Sequence, residues 1–128
     1  MSNKSIADKL MIKPGRSVLL VNPFEGYLDL LGFLSENTVH LNETSNPVDI
    51  IQLFVKSQQE LEDFLPKLKS SLKPGGMIWV TYTKGTSKLA GDIHRDKINA
   101  YAKSLGMEGI AIISIDKDWS ALRLKVVG

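Results

Sequence analysis

Apolar positions along the chain alternate between two spacings, one suited to strands and one to helices. Ser17 to Val21 (SVLLV), after the turn Lys13-Pro14-Gly15, is a continuous apolar run of the kind that forms a fully buried strand. Phe24, Tyr27, Leu28, Leu31 and Leu34 then recur at helical spacing. Thr38 to Leu41 reads as a short strand, followed by the polar turn from Asn42 to Pro47. Val48 to Val55 (VDIIQLFV) is a second buried strand. Gln58 to Leu72 carries Leu61, Phe64, Leu65, Leu68 and Leu72 on one helical stripe, with Pro66 placed to kink or restart it. Pro74-Gly75-Gly76 ends that helix and launches the strand Met77 to Tyr82.

A loop rich in Thr, Ser, Gly and Lys covers Thr83 to Gly91. Ile93 to Leu105 reads as a helix with Asp92 as its cap and Gly106 as its stop. Gly109 to Ile115 and Trp119 to Val127 are strands separated by Asp116, Lys117 and Asp118, which is hairpin spacing, so the last strand should run antiparallel. Strands alternating with helices imply an α/β, three-layer Rossmann-like sandwich: a mostly parallel sheet, helices on both faces and a C-terminal antiparallel hairpin.

Composition narrows the function. The chain has 128 residues and 43% apolar content, with no repeat or linker, which suits one domain over residues 1–128. Zero cysteines exclude disulfides and thiolate chemistry, and with His40 and His94 as the two histidines no transition-metal site is expected. The N-terminal stretch lacks the apolar run of a signal peptide, and no segment is long enough to span a bilayer, so a cytoplasmic location without membrane attachment is expected. Phe24 to Asp63 holds eight acidic residues against one lysine, whereas Phe64 to Ser104 holds eight basic residues against two aspartates. That asymmetry makes either a dipolar surface with one anion-seeking face or merely solvated helices of different sign.

Several segments resemble a known family. "LPKLKSSLKPGGMIWVTY" is similar to the helix–PGG–strand segment of S-adenosylmethionine-dependent methyltransferases. "IKPGRSVLLVNPFEGY" resembles their first strand and glycine loop, and the final hairpin resembles their last two strands. More narrowly, "YTKGTSKLAGDIHRD" with "DKDWSALRLK" resembles a family of small bacterial proteins of unknown function sharing this reduced frame. The resemblance implies methyltransferase topology with one outer strand deleted. With right-handed crossovers, that gives the order 2-1-3-4-6-5 in chain numbering.

The departures bear on activity. At the acid and the three glycines of the methyltransferase loop stand Leu20, Asn22, Phe24 and Gly26, so one glycine survives. A Phe side chain takes up space that backbone would need near a cofactor. The stretch Asn37 to Pro47 has no room for the usual helix and strand, since a βαβ unit needs about 30 residues, and Glu43 is the nearest counterpart of a ribose-binding acid. Asn22 as N-cap, Pro23 at the first helical position and Glu25 three residues after the cap form a capping-box pattern that opposes anion binding. No cofactor is therefore expected; S-adenosylmethionine enters solely if this is a methyltransferase with an unorthodox loop.

Ligands of open α/β sheets favour the carboxyl ends of strands. The segments meeting there supply Asn22, Glu25, Gly26, Ser57, Thr83, Lys84, Gly85, Thr86, Ser87, Lys88, Asp92 and Arg95 as candidate ligand-binding residues. "TKGTSK" offers two lysines, three hydroxyls and a glycine, donors suited to an anion, although a polar surface loop has the same composition. It lacks the order of a phosphate-binding Walker loop. His94-Arg95-Asp96 echoes a kinase catalytic loop without the other kinase motifs, and no nucleophile elbow is present. Catalytic residues thus stay unassigned. Trp79 and Trp119 fall in strands and suit the core, giving no support to nucleic-acid binding.

Three functions remain, in this order: a non-catalytic module binding a small anion or a protein partner, a working methyltransferase, and a structural or oligomeric module. Monomer and homodimer are both open, because the short strand Thr38 to Leu41 would form a sheet edge needing cover. Ile6 to Ile12 carries a modest apolar face and is the expected cover, with dimerisation second.

Overall fold

The computed structural model describes residues 5–32, 34 and 36–127. Residues 1–4 of the N-terminal stretch, and positions 33 and 35 beside Leu34 of the first helical stripe, lie outside them. In chain order the elements are α1 (Ile6–Lys9), β1 (Ser17–Val21), α2 (Tyr27–Leu31), β2 (Thr38–Leu41), β3 (Val48–Val55), α3 (Gln58–Leu68), β4 (Leu72–Thr83), α4 (Arg95–Ser104), β5 (Met107–Ser114) and β6 (Trp119–Val126). One sheet of six strands has the order β2-β1-β3-β4-β6-β5. The first four are mutually parallel, and β6 is antiparallel to both β4 and β5. Both the order and the sense of the terminal hairpin match the sequence-based expectation.

Alternation along the central strands builds two cores. Leu19, Ile51, Leu53, Ile78 and Val80 face α3 and α4, meeting Leu61, Leu65, Ile98 and Ala102. Val18, Leu20, Ile50, Phe54 and Trp79 face the other way, meeting Leu10, Tyr27 and Leu31. Each fully buried Leu or Ile contributes about 1.5–3 kcal/mol of transfer free energy. One polar line crosses the second core: the Tyr27 hydroxyl donates to Gln52 Oε1 at 2.7 Å, and Gln52 Nε2 donates to Thr81 Oγ1 at 3.0 Å. Burial pushes the Tyr27 phenol far above its ordinary value, partly offset by the Gln52 hydrogen bond.

Several local expectations are corrected. The helix after β1 begins at Tyr27, not at Pro23, and ends at Leu31. Asn22 and Gly26 both take left-handed backbone (φ 58° and 85°), so the chain turns twice before it can coil. The capping box is absent, because the Asn22 N–H donates to Asn42 Oδ1 at 2.9 Å and no side chain caps α2. The helix through Pro66 stops at Leu68 and tightens into a 3-10 turn over Lys69–Ser71. Proline removes a helical donor just where this occurs. Strand β4 already starts at Leu72, with Pro74-Gly75-Gly76 as an irregular stretch inside it, since pairing with β3 shifts register between Val48 and Ile50.

The cap of α4 is His94, whose Nδ1 accepts from the Asp96 N–H. Asp92 caps α3 instead, its Oδ1 accepting from the Gln58 N–H at 2.9 Å. Nor does the N-terminal segment cover the β2 edge. Leu10 and Ile12 are buried in the core on the sheet face, and the Trp79 indole N–H donates to the Leu10 carbonyl at 3.0 Å. Large apolar side chains win this competition because a broad sheet face buries more of them than a four-residue edge. Val39 and Leu41 of β2 stay exposed.

Candidate functional site

Three separate places at the carboxyl ends of the parallel strands receive the candidate residues. The first is the β1–α2 junction, with Asn22, Glu25 and Gly26. Phe24 turns inward there and stacks on Trp119 (centroids 5.1 Å apart, 22° between planes). It also meets Tyr27 and Phe54 edge-on at 5.1 and 5.7 Å. Beside this aromatic plug, Asn42, also left-handed at φ 65°, donates its N–H to the Leu20 carbonyl at 2.7 Å. Together with the Asn22 bond it stitches the ends of β1 and β2 together. Glu25 points to solvent, and Glu43 is exposed.

The second place is the start of α3. Ser57 Oγ accepts from the Glu60 N–H at 3.1 Å, and Glu60 Oε1 accepts from the Lys56 N–H at 2.6 Å. With Asp92 on Gln58 N–H, this helix end is satisfied by its own chain and carries two carboxylates. Ser57-Gln58-Gln59-Glu60 has the capping-box spacing, readable in the sequence, but Glu60 reaches one residue past the Ser57 cap to the Lys56 N–H.

The third place is the loop after β4. Thr83, Lys84, Gly85, Thr86 and Arg95 line one cavity of about 330 Å³, together with Tyr82, Ile93, His94 and Ser120. The loop is fastened to the tip of the β5–β6 hairpin. The Lys84 N–H donates to the Asp118 carbonyl at 2.8 Å, Ser87 Oγ donates to Asp118 Oδ1 at 2.7 Å, and Lys84 Nζ donates to Ser114 Oγ at 2.7 Å. Ser87 is thereby a strut, and Lys88 is exposed outside the cavity. Thr83 Oγ1 is buried without a hydrogen-bond partner among the described residues. Burial raises the Tyr82 phenol above its ordinary value, opposed by the Arg95 charge and a hydrogen bond with Ser120.

Ser120 is the residue that sequence reasoning missed, and Tyr82 falls in the segment 82–88 expected there without being singled out as a candidate. Their cross-strand register creates this wall, and β6 could be placed beside β4 from the hairpin but not to the residue. Arg95 has Asp96 beside it, with Nε 3.9 Å from Oδ1. On its other side lies a hollow of about 440 Å³ under Ile110 and Ile112 of the β5 edge. Among the described residues no group of three or more His, Cys, Asp or Glu side chains could hold a metal ion. No helix there is long and apolar enough to cross a membrane.

Comparison with known proteins sets this geometry in context. The model of a family described as a protein of unknown function, DUF3052, matches residues 31–127. The chain belongs to that family. None of the curated proteins matches it by sequence. Its fold is that of methyltransferases. A SAM-dependent methyltransferase from Aquifex aeolicus superposes with a TM-score of 0.69 at 16% identity, over 95% of this chain and 88% of that one. A ribosomal protein L11 methylase from Lactobacillus delbrueckii subsp. bulgaricus gives 0.63 at 15% identity, over 94% and 74%. A TehB-like SAM-dependent methyltransferase from Corynebacterium glutamicum gives 0.59 at 12%, over 95% and 86%. These identities establish shared architecture and nothing about activity.

Proposed function

We propose that this chain is a non-catalytic methyltransferase-like module that binds a small anion, of phosphate or carboxylate class, beside Arg95 and the loop 83–86. The observation that carries the reading is the cavity of about 330 Å³ at the end of β4, where Arg95 and Lys84 stand with the hydroxyls of Thr86 and Ser120. A guanidinium, an ammonium and neutral donors in one concave site are what a fixed anion requires. Arg95 is exposed, so its screened charge selects for sign, and the hydroxyls supply the directional contacts.

The residues do not fit S-adenosylmethionine. Phe24, locked between Trp119, Tyr27 and Phe54, fills the approach that a glycine loop leaves open. The seam between Asn22 and Asn42 uses the donor that a cofactor carboxylate would seek. No methyl-transfer step is assigned to any side chain on this reading.

Calorimetric titration with S-adenosylmethionine, nucleotides and sugar phosphates tests both halves. The expected result is saturable binding of a phosphorylated compound that Arg95→Ala abolishes, with no heat from S-adenosylmethionine. Micromolar binding of S-adenosylmethionine would restore the methyltransferase reading. A panel without any anion response would remove the anion-binding one.

A second reading, docking of a protein partner or another copy, rests on a different surface. Leu28, Leu30, Val39 and Leu41 are exposed together, and a hollow of about 550 Å³ runs between α2 and the β2 edge. Sedimentation tests the self-docking form: a concentration-dependent dimer that Val39→Lys disperses supports it, and a monomer at all concentrations removes it.

A further inference from the structure

The opposite end of the sheet holds a second cationic concavity. Arg16 precedes β1, Arg123 lies on β6 directly across from Trp79, and Gly75-Gly76 form the irregular lead into the inner part of β4. These segments are far apart in the chain and line one cavity of about 250 Å³ with Met11 and Asp49. Both guanidiniums reach the same residue. Arg16 Nη1 donates to the Met11 carbonyl at 3.2 Å, and Arg123 Nη1 lies 3.3 Å from the Met11 sulfur, a weak acceptor.

Two like charges converge on one residue, and the one carboxylate in the cavity is engaged through its Oδ2. Asp49 Oδ2 accepts from the Ser17 N–H at 2.8 Å and from Ser17 Oγ at 3.1 Å, and pairs with Lys73 Nζ at 3.5 Å. Among the described residues neither Arg16 nor Arg123 forms an ion pair. Arg123 Nε is in addition buried with no hydrogen-bond partner there. A buried guanidinium donor left unpaired is destabilising, so an acceptor belongs beside it.

We propose that Arg16 and Arg123 bind an oxyanion of phosphate size at the amino ends of β1 and β4. Planar guanidiniums offer paired donors that match two oxygens of a tetrahedral anion. The volume of about 250 Å³ accommodates a phosphate group. This site lies at the opposite end of the sheet from Arg95 and stands independently of the reading given for that cavity.

The test is a titration of the full chain with inorganic phosphate at constant ionic strength, followed by ¹⁵N NMR, with chloride as control. Saturable shifts are expected at the Arg16 and Arg123 Nε–H signals and at the Gly75 and Gly76 amides. Arg123→Gln and Arg16→Gln should each weaken phosphate binding by about tenfold or more, while Arg95→Ala leaves these signals responding. If Arg123→Gln fails to fold, Arg16→Gln decides, because Arg16 sits in a partly exposed loop. Shifts confined to residues 83–95 and lost in Arg95→Ala, or a linear response equal to that of chloride, would overturn the proposal.

Discussion

Truncating Phe24 to alanine measures how firmly the β1–α2 junction is closed. The ring is half-buried and has three aromatic neighbours, at 5.1 Å from Trp119, 5.1 Å from Tyr27 and 5.7 Å from Phe54. A fully buried Phe→Ala change costs about 3–5 kcal/mol, and each well-placed aromatic pair adds about 0.5–1.5 kcal/mol beyond burial. Half burial cuts the transfer part, leaving about 2–3 kcal/mol for this site. Against a total of about 5–15 kcal/mol that is a large fraction, equivalent to a fall of about 10 °C in Tm for a chain of this length. Urea unfolding followed by tryptophan fluorescence gives the free energy, and near-UV circular dichroism reports the Trp119 environment directly. Phe24→Leu separates the contributions: it keeps most of the volume, loses the stacking and should cost about 1 kcal/mol. An alanine variant within about 0.5 kcal/mol of the parent would refute the argument, because the ring would then be a loosely held surface group and the junction open.

Tyr27→Phe should destabilise by about 1–2 kcal/mol, since it leaves the buried Gln52 Oε1 without its donor; denaturant titration checks this, and Gln52→Leu added to it should recover part of the loss. The Asp49 carboxyl is held below its ordinary range first by the Ser17 N–H, against desolvation, with Ser17 Oγ and Lys73 assisting. Its folded value lies below the unfolded one of about 3.9, so its contribution is present above about pH 4 and is lost as pH falls through the folded value. Asp49→Asn should therefore be less stable than the parent at pH 7, and the gap should close in unfolding curves measured at progressively lower pH. The Tyr82 phenol, raised by burial and held back by the Arg95 charge, should ionise above the usual tyrosine range and later still in Arg95→Ala. Absorbance at about 295 nm during alkaline titration tests this against the usual tyrosine value near 10, and an unchanged curve in the variant would separate Arg95 from this cavity.

The sheet was legible because its information is periodic. The continuous apolar run Val18–Val21, the largely apolar stretch Val48–Val55 and the three-residue gap before Trp119 leave few arrangements once crossovers are right-handed. The helix ends were harder, because side-chain donors and acceptors choose partners through space. Asn22 had the residue type and spacing of a cap, but Asn42 reached its N–H first across the β1–β2 pair. Asp92 stood in cap position for α4 and served α3 instead. The candidate loop Thr83–Lys88 was visible by composition, whereas the division of labour inside it was not. Ser87 became a strut because Asp118 of the hairpin lies over it. The pairing of Arg16 with Arg123 left no local signal, since it depends on the register of β6 against β4 and on where Met11 falls.

The charge asymmetry of the sequence acquires a physical sense from where the carboxylates go. Four of the fourteen accept from backbone N–H groups among the described residues, and of these Asp49 alone also pairs with a cation, Lys73. Glu60 takes the Lys56 N–H, Asp92 the Gln58 N–H, Asp49 the Ser17 N–H, and Asp116 those of Asp118 and Trp119. A carboxylate fixed in a cap or turn is oriented by the backbone and has less freedom to follow a mobile guanidinium. The cations meet carbonyls and hydroxyls instead: Lys69 the Leu105 carbonyl, Lys84 the Ser114 hydroxyl, Arg16 the Met11 carbonyl. Among the described residues this leaves two Lys or Arg ion pairs, Lys73–Asp49 and Arg95–Asp96, with His94 also 3.7 Å from Asp96. The formal net charge is +2, with Arg95 lining a cavity at one end of the sheet and Arg16 and Arg123 lining one at the other. Phe24 closes the junction where a methyltransferase opens its glycine loop. On the anion-binding reading proposed above, an anion would sit where the fold has engaged its carboxylates elsewhere.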